Sequence, residues 1–291
     1  MSVSYAWPEN DQCNLQLSGE CEALGIDSQQ YVQRVNTQFQ KIGLRGVTLV
    51  VGSGDFGANG NPNACGTMFE PDFPASSPFV LTVGGTELVD TVALANPPPI
   101  CAAAGMECVV SGSQQACSGE ISQFSAGGGF SAVAPMPAYQ RSAVQSYLSS
   151  NVTLPPPPYY NASGRAFPDV SAFAHNLLTV FEGAAQPVGG TSAATPIIAA
   201  IIGRLNAYSL QLSGKTLGFV NVFLYQAAAL NPATFRDITV GRNNCGWNGC
   251  CPEAFEAAPG WDAVTGLGVV DVAQLASTLK RMHAARKRKA P

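Results

Sequence analysis

Two short apolar runs, each ending in a glycine turn, constrain the fold of this chain more than any other feature. Val47–Val51 is rich in β-branched residues and leads into Ser53–Gly57, and Val80–Val83 leads into Gly84-Gly85-Thr86. A run without polar alternation is typical of a strand that is covered on both faces. A helical repeat over Ser28–Gly43 precedes the first run. This order predicts an α/β fold: a doubly wound, mostly parallel sheet flanked by helices.

Composition narrows the class of protein further. The chain has 291 residues, of which 46% are hydrophobic and 12% charged, with a formal net charge of −4. These values favour a compact enzyme, and they show no excess of basic residues that would indicate nucleic-acid binding. The best apolar run, Pro196–Ile202, is far shorter than the roughly 20 residues that span a bilayer. We therefore expect no nucleic-acid partner and no membrane partner. We also expect the chain to be a monomer.

The cysteines indicate an oxidising compartment. They form no paired CxxC motif, and the chain has only two histidines, His175 and His283, so a zinc site is not predicted. Two glycosylation sequons, at Asn151 and Asn161, agree with disulfide bonding and with a secreted, lysosomal or vacuolar location. At least one thiol must stay unpaired within the chain, because nine cysteines are present. Met1–Tyr5 lacks the character of a signal peptide, so we expect an export signal to lie upstream.

Ser192 is the candidate nucleophile. It lies in Gly189-Gly190-Thr191-Ser192-Ala193-Ala194-Thr195-Pro196, a glycine turn followed by an apolar segment that is predicted to be a helix to Leu212. Backbone N–H groups at a helix N-terminus favour developing negative charge beside such a hydroxyl. An ordinary Ser N-cap, with Pro196 in the first turn, is the alternative for this octapeptide.

The motif Gly-Thr-Ser-Ala-x-x-Pro resembles the nucleophile segment of the subtilisins and of their relatives the sedolisins, or serine-carboxyl peptidases. Further stretches resemble the sedolisins, above all the tripeptidyl-peptidase branch, and occur in the family's order. They are Ser53–Gly57, Phe73–Pro78 with Val83–Thr86, Phe167–Ala172, Leu217–Asn221, and Asp237–Thr239 with Gly260–Gly268. The resemblance implies a subtilisin-like fold and an acid-acting serine peptidase, either an endopeptidase or a tripeptidyl-peptidase, that cleaves peptide or protein substrates.

The resemblance also implies roles for particular residues. Asp55 corresponds to the family's oxyanion-hole aspartate, which must be protonated to donate a hydrogen bond, so acid conditions are favoured. Ser4, Tyr5 and Ala6 correspond to the strand that lines the substrate, with Ala6 in place of a glycine. One structural Ca²⁺ ion is implied in a C-terminal loop. Its ligands would be the carboxylates and main-chain carbonyls of Asp237, Ile238, Ala258, Gly260 and Asp262.

The family's Glu-x-x-x-Asp dyad, which activates the serine, does not occur in this sequence. Because a serine without a base is a poor nucleophile, residues 1–291 alone are expected to have little or no activity. A calcium-binding and peptide-binding domain without catalysis is the alternative. A Ser-His-Asp hydrolase is a more distant reading, because His175 lies outside any His-Gly-Thr motif.

The sequence also suggests how the chain is divided. Residues 1–279 are predicted to form an N-terminally incomplete peptidase domain, and residues 280–291 a basic, disordered tail. Residues 88–120 are interpreted as a surface insertion. Cys65 is expected to pair with Cys245, Cys250 or Cys251.

Overall fold

The computed structural model describes residues 1–14, 18–60 and 65–289. Its helices are α1 Ser18–Leu24, α2 Ser28–Leu44, α3 Pro99–Ala103, α4 Arg141–Leu148, α5 Thr191–Ser213, α6 Val220–Leu230 and α7 Val272–Lys289. Its strands are β1 Ser2–Val3, β2 Trp7–Pro8, β3 Val50–Gly52, β4 Asp72–Phe73, β5 Leu81–Ala93, β6 Val109–Ala116, β7 Gly129–Pro135, β8 Gly164–Phe167, β9 Val170–Phe173, β10 Leu177–Phe181, β11 Ala184–Val188, β12 Phe235–Arg236, β13 Cys245–Gly246, β14 Gly249–Cys250 and β15 Val269–Val270.

The central sheet of the described residues has seven strands. Five of them run parallel in the order β1-β3-β5-β9-β15, β12 adds an antiparallel edge beside β15, and β6 pairs antiparallel with the end of β5. The registers Val50 with Leu81 and Val83 with Val170 place β3, β5 and β9 side by side at the centre. The predicted mostly parallel sheet is therefore confirmed.

Alternate side chains of β3 enter two different cores. Val50 packs into the larger cluster with Ile198 and Ile202 of α5, whereas Val51 packs with Phe39 and Ile42 near α2. Helix α2 begins with a capping box in which Asp27 accepts a hydrogen bond from the Gln30 N–H. The sheet is thus covered on both faces, as the continuous apolar runs predict.

Helix α5 has the length and apolar composition of a membrane-crossing helix. One such helix is weak evidence for a span, because core helices have the same character. Its residues Ala194, Ile198, Ile202 and Leu205 are buried against the sheet.

Two segments differ from the sequence-based expectation. The segment 88–120, interpreted as a surface insertion, extends the sheet, because β5 continues to Ala93 and β6 returns antiparallel to it. Helix α7 continues to Lys289, so the backbone of 280–289 is helical where a disordered tail was expected. Lys, Arg and Ala are good helix formers, and no glycine or proline interrupts this stretch.

The cysteines form disulfides between Cys13 and Cys21, Cys65 and Cys251, Cys101 and Cys108, and Cys245 and Cys250. Cys65 therefore pairs with one of the three partners expected from the sequence. Cys117 is a buried free thiol, and burial raises its pKa well above the usual value.

A buried ion pair ties the sheet to α6. Arg165 Nη2 lies 2.6 Å from Asp169 Oδ2, and neither side chain is exposed. The Asp169 carboxylate also accepts hydrogen bonds from the Thr82 N–H at 2.8 Å, the Tyr225 hydroxyl at 3.0 Å and the Asn221 amide at 3.1 Å. The carboxylate thus joins β5 to α6 through donors that balance its charge.

Replacing Arg165 by Met is expected to lower the free energy of unfolding by about 3–5 kcal/mol, because Asp169 would keep a buried charge without its cation. The matched control is Arg204→Met, which removes an exposed arginine of α5 and is expected to change little. Chemical denaturation of both variants measures the difference, and equal stability of the two variants would contradict the assigned role of the ion pair.

Candidate active site

Ser192 is the second residue of α5, and it is exposed while its neighbours Thr191 and Ala193 are buried. The helix begins directly after Gly190 and runs for 23 residues. Its first backbone N–H groups therefore surround the serine, where they can stabilise developing negative charge.

Asp55 lies just beyond the carboxyl end of β3, where a doubly wound sheet places its functional groups. Its Oδ1 accepts hydrogen bonds from the Thr191 N–H and the Thr191 hydroxyl, both at 2.8 Å. Burial raises the pKa of Asp55, and the hydrogen bonds from Thr191 oppose that rise only in part. The structure thus brings Asp55 to the beginning of the helix that carries Ser192.

Gly190 makes this approach possible. Its φ is +95°, and a Cβ at this position would lie 2.6 Å from Asp55 Oδ2. A side chain would therefore be strained by the backbone and would displace the carboxylate.

Pro196 lies in the second turn of α5 rather than in the first turn, because the helix begins at Thr191. Proline has no N–H to donate to the carbonyl of Ser192, four residues earlier. The Ser4 hydroxyl donates to that carbonyl instead, at 3.2 Å. The segment after β1 is thereby attached to the turn that carries the candidate nucleophile.

A cleft of about 190 Å³ opens beside Ser192. The residues expected to line the substrate, Ser4, Tyr5 and Ala6, form part of its wall. Three further lining residues, Gly54, Phe56 and Thr191, lie within the quoted motifs without a predicted role, and Trp7, Gly52 and Asp72 lie outside those motifs. For Asp72, the available signal was its position directly before the Phe73–Pro78 motif.

Among the described residues, the one hydrogen-bond partner of the Ser192 hydroxyl is the main-chain carbonyl of Ser4, at 3.4 Å. A carbonyl oxygen cannot serve as the general base. His175 follows β9 and does not hydrogen-bond to the serine. The described residues therefore bring the candidate nucleophile Ser192 close to Asp55 but place no base on its hydroxyl.

The five residues expected to bind calcium are brought together by the loop before β15. Asp262 is fully buried, and its carboxylate accepts hydrogen bonds from the N–H groups of Ala258, Val264 and Thr265. Asp237 accepts one from the Gly260 N–H at 2.8 Å. The Ile238 carbonyl accepts one from the Thr265 hydroxyl. In the described parts of the chain no three His, Cys, Asp or Glu residues cluster as a metal site.

The electrostatics of this loop fit a hard cation. Burial raises the pKa of Asp262 to about 7, and the negative charge of Asp237 adds to the rise. The buried carboxylate of Asp262 and the exposed carboxylate of Asp237 repel each other beside main-chain carbonyls, and such oxygen donors are of the kind that Ca²⁺ prefers.

Gly190→Ala is expected to destabilise the fold by about 1–3 kcal/mol, because it adds strain at a left-handed position and crowds Asp55. Gly203→Ala is the matched control: it lies in α5, has a helical backbone and has open space at its Cβ. It is expected to stabilise the protein by up to about 1 kcal/mol. Denaturant unfolding compares the two variants, and the account fails if both shift stability in the same direction.

Comparison with known proteins places this geometry in a family. The subtilase family profile matches residues 18–247. The chain is 43% identical over 276 residues to physarolisin of Physarum polycephalum, and 39% identical over 254 residues to human tripeptidyl-peptidase 1. These alignments cover 92% and 87% of this chain but 47% and 40% of those proteins. The chain thus spans about half the length of the curated relatives it matches.

A solved structure agrees with these relatives. Pseudomonas sedolisin, a serine-carboxyl proteinase complexed with two molecules of pseudo-iodotyrostatin, superposes with a TM-score of 0.68 at 26% identity. The match covers 96% of this chain and 64% of that chain. The chain belongs to the subtilase family, and its relatives there are the serine-carboxyl peptidases of the sedolisin type.

Proposed function

We propose that this chain carries the nucleophile half of an acid-acting serine-carboxyl peptidase, with Ser192 as nucleophile and Asp55 in the oxyanion hole. One observation supports this above the others: Asp55, with a raised pKa, lies against the N-terminus of the helix that exposes Ser192. Peptides or proteins are the substrates. The disulfides agree with a secreted, lysosomal or vacuolar location.

The positions of Ser192 and Asp55 suit the first step of peptide-bond hydrolysis. The Ser192 oxygen attacks the peptide carbonyl, and its proton passes to a general base. The carbonyl oxygen becomes an oxyanion, which the N–H groups at the start of α5 and a protonated Asp55 stabilise. Asp55 can donate from Oδ2 because Thr191 occupies Oδ1. The base is supplied from outside the described residues, and the family resemblance implies a glutamate oriented by an aspartate.

The test uses a peptide aldehyde with a ¹³C-labelled carbonyl, because the adduct forms on the serine without a leaving group. At acid pH, NMR is expected to show a tetrahedral adduct with the full chain and none with Ser192→Ala. Ser146→Ala, which removes an exposed serine of α4, is the matched control and should form the adduct. An adduct that persists in Ser192→Ala would refute the assignment of the nucleophile.

The affinity for the aldehyde should depend on pH through Asp55. Because burial raises the pKa of Asp55, the donating proton is present below that raised value and is lost as pH rises through it. The affinity should therefore fall on the alkaline side. Asp55→Asn keeps an N–H donor at every pH, so its profile should be flatter. An unchanged pH profile in Asp55→Asn would argue against the oxyanion role.

A catalytically inactive peptide-binding domain is the second candidate, favoured by the carbonyl partner of the Ser192 hydroxyl. Added formate distinguishes the two functions, because it offers a small carboxylate base. Peptide hydrolysis by residues 1–291 should be near background alone and should rise with formate in the parent chain but not in Ser192→Ala. Peptide binding without an adduct or rescue would support the second function.

Calcium at the C-terminal loop belongs to the same proposal. Asp237, Ile238, Ala258, Gly260 and Asp262 would hold the ion, which would offset the charge of the buried carboxylate and fix the loop before β15. The ion has no part in the chemical step.

Calcium at 100 times its dissociation constant is expected to raise the free energy of unfolding by about 2.7 kcal/mol, because it binds only the folded loop. A chelator should reverse the effect, and Asp262→Asn should abolish the response. Asp90→Asn, a change at an exposed carboxylate, should retain it. Thermal unfolding with and without Ca²⁺ measures the response, and a parent chain that ignores calcium would overturn the site.

A further inference from the structure

Strand β10 has a free edge. It pairs antiparallel with β11, and no other backbone group in the described parts of the chain hydrogen-bonds to it. The strand Leu177–Phe181 contains no charged residue and no proline, and its large apolar residues Leu178, Val180 and Phe181 are exposed. An uncharged apolar edge with free backbone groups is a template for pairing with another strand.

The geometry of the hairpin determines which backbone groups face outward. Its turn, Glu182-Gly183, has a positive φ at both residues, as in a type I′ turn. Facing residues of an antiparallel ladder alternate between hydrogen-bonded and non-hydrogen-bonded pairs. Leu178 faces Pro187, which has no N–H, so this pair is non-hydrogen-bonded. By alternation the pair of Val180 with Ala185 is of the same kind. Leu178 and Val180 therefore direct their N–H and C=O groups away from β11.

The other edge of the hairpin is less open. Helix α3 lies against β11. Pro187 contributes no N–H on that side, and proline is a common device for blocking an edge strand. At the base of the hairpin the Gly190 N–H donates to the Ala174 carbonyl at 2.8 Å. The outer side of β10 is thus the edge of this hairpin that is able to accept a strand.

We propose that β10 pairs antiparallel with β10 of a second copy of this chain. With the register centred on Thr179, Leu178 of each copy faces Val180 of the other. The outward N–H and C=O groups then meet in two hydrogen-bonded pairs, with the two Thr179 residues between them. Leu177 of each copy faces Phe181 of the other. A two-fold axis through Thr179 therefore gives every residue of β10 a partner.

The side chains match in this register. Within each hairpin Leu178 and Val180 share a face with Pro187 and Ala185. Pairing of the two copies would extend this face into rows of apolar residues across four strands. The two Thr179 side chains would meet on the opposite face, each beside Gln186 of its own copy. Facing apolar pairs and facing threonines both stabilise a sheet.

The charges are also compatible with self-pairing. Glu182 is the one charged residue in 176–188. The register brings Glu182 of each copy to the end of the other copy that carries His175 and Asn176, and an amide or an imidazole can donate to a carboxylate. The two Glu182 residues lie at opposite ends of the joined strands, roughly 20 Å apart at about 3.4 Å per residue. That distance exceeds the Debye length at physiological salt, so their repulsion is screened.

The interface is small, because each copy contributes a strand of five residues. A standard interface buries about 800 Å² on each partner, and smaller ones are weak or transient. We therefore expect a reversible dimer that forms as the protein concentration rises. This dimer is proposed in place of the monomer expected from the sequence, and it does not depend on the proposed peptidase function.

Sedimentation velocity over a roughly 100-fold range of protein concentration tests the pairing. The parent chain is expected to shift from monomer towards dimer. Val180→Lys should remain monomeric, because it places a charge opposite Leu178 of the second copy. Val92→Lys, the same change at an exposed valine of β5, is the matched control and should dimerise like the parent. A parent chain that stays monomeric throughout would overturn the proposal, and so would a dimer that persists in Val180→Lys.

Thr179→Cys tests the register and keeps the proposal falsifiable if Val180→Lys does not fold. Side chains of facing residues lie about 4.5–5.5 Å apart at Cβ, so oxidation with copper phenanthroline in air should join two copies through Cys at position 179. Gln186→Cys, on the same face of the hairpin but in β11, should give no covalent dimer. The parent should give none either, because its free thiol, Cys117, is buried. Equal cross-linking of the two variants on a non-reducing gel would contradict pairing through β10.

Discussion

The hydrogen bonds from Thr191 to Asp55 connect the end of a central strand to the beginning of the longest helix. Strand β3 lies between β1 and β5, and α5 packs its apolar residues on the same sheet. Neither end can move without disturbing the core. Ser192, one residue beyond Thr191, therefore has a position determined by packing rather than by its own loop.

The same junction accounts for the segment that lines the cleft. The proline that interrupts the hydrogen-bond pattern of α5 leaves the Ser192 carbonyl available, and Ser4 uses it. The cleft wall and the candidate nucleophile Ser192 are thus linked by a hydrogen bond that the missing N–H of Pro196 leaves free to form. Loss of that hydrogen bond would alter the wall of the cleft and the start of α5 together.

Several carboxylates in this fold lie in dry surroundings. Burial raises the pKa values of Glu9, Asp55 and Asp262 above those of free side chains. The folded chain thus binds protons at these groups that the unfolded chain releases at a lower pH. Their contribution to stability is present in acid and is lost as pH rises through the raised values. These three groups therefore contribute more to the stability of the fold in acid than at neutral pH.

Local sequence patterns predicted much of the fold and of the candidate site. The remaining features depend on contacts between segments that are distant in the sequence. The positions of Ser192 and Asp55 and the course of α2 follow from short motifs and periodicity. Strand pairing determines two other features: the hydrogen bond from Ser4 to Ser192 and the position of Asp72 beside Gly54. Local sequence patterns do not predict which strands pair. The basic charge of 280–289 suggested a solvated tail, although the helix propensity of the same residues carries α7 to Lys289.

The most direct test of the account is a crystal structure of the chain with a peptide aldehyde at acid pH. The account requires a tetrahedral carbon bonded to Ser192 Oγ, with its oxygen within hydrogen-bonding distance of Asp55 and of the first N–H groups of α5. An aldehyde bound elsewhere, or an adduct oxygen directed away from Asp55, would contradict it.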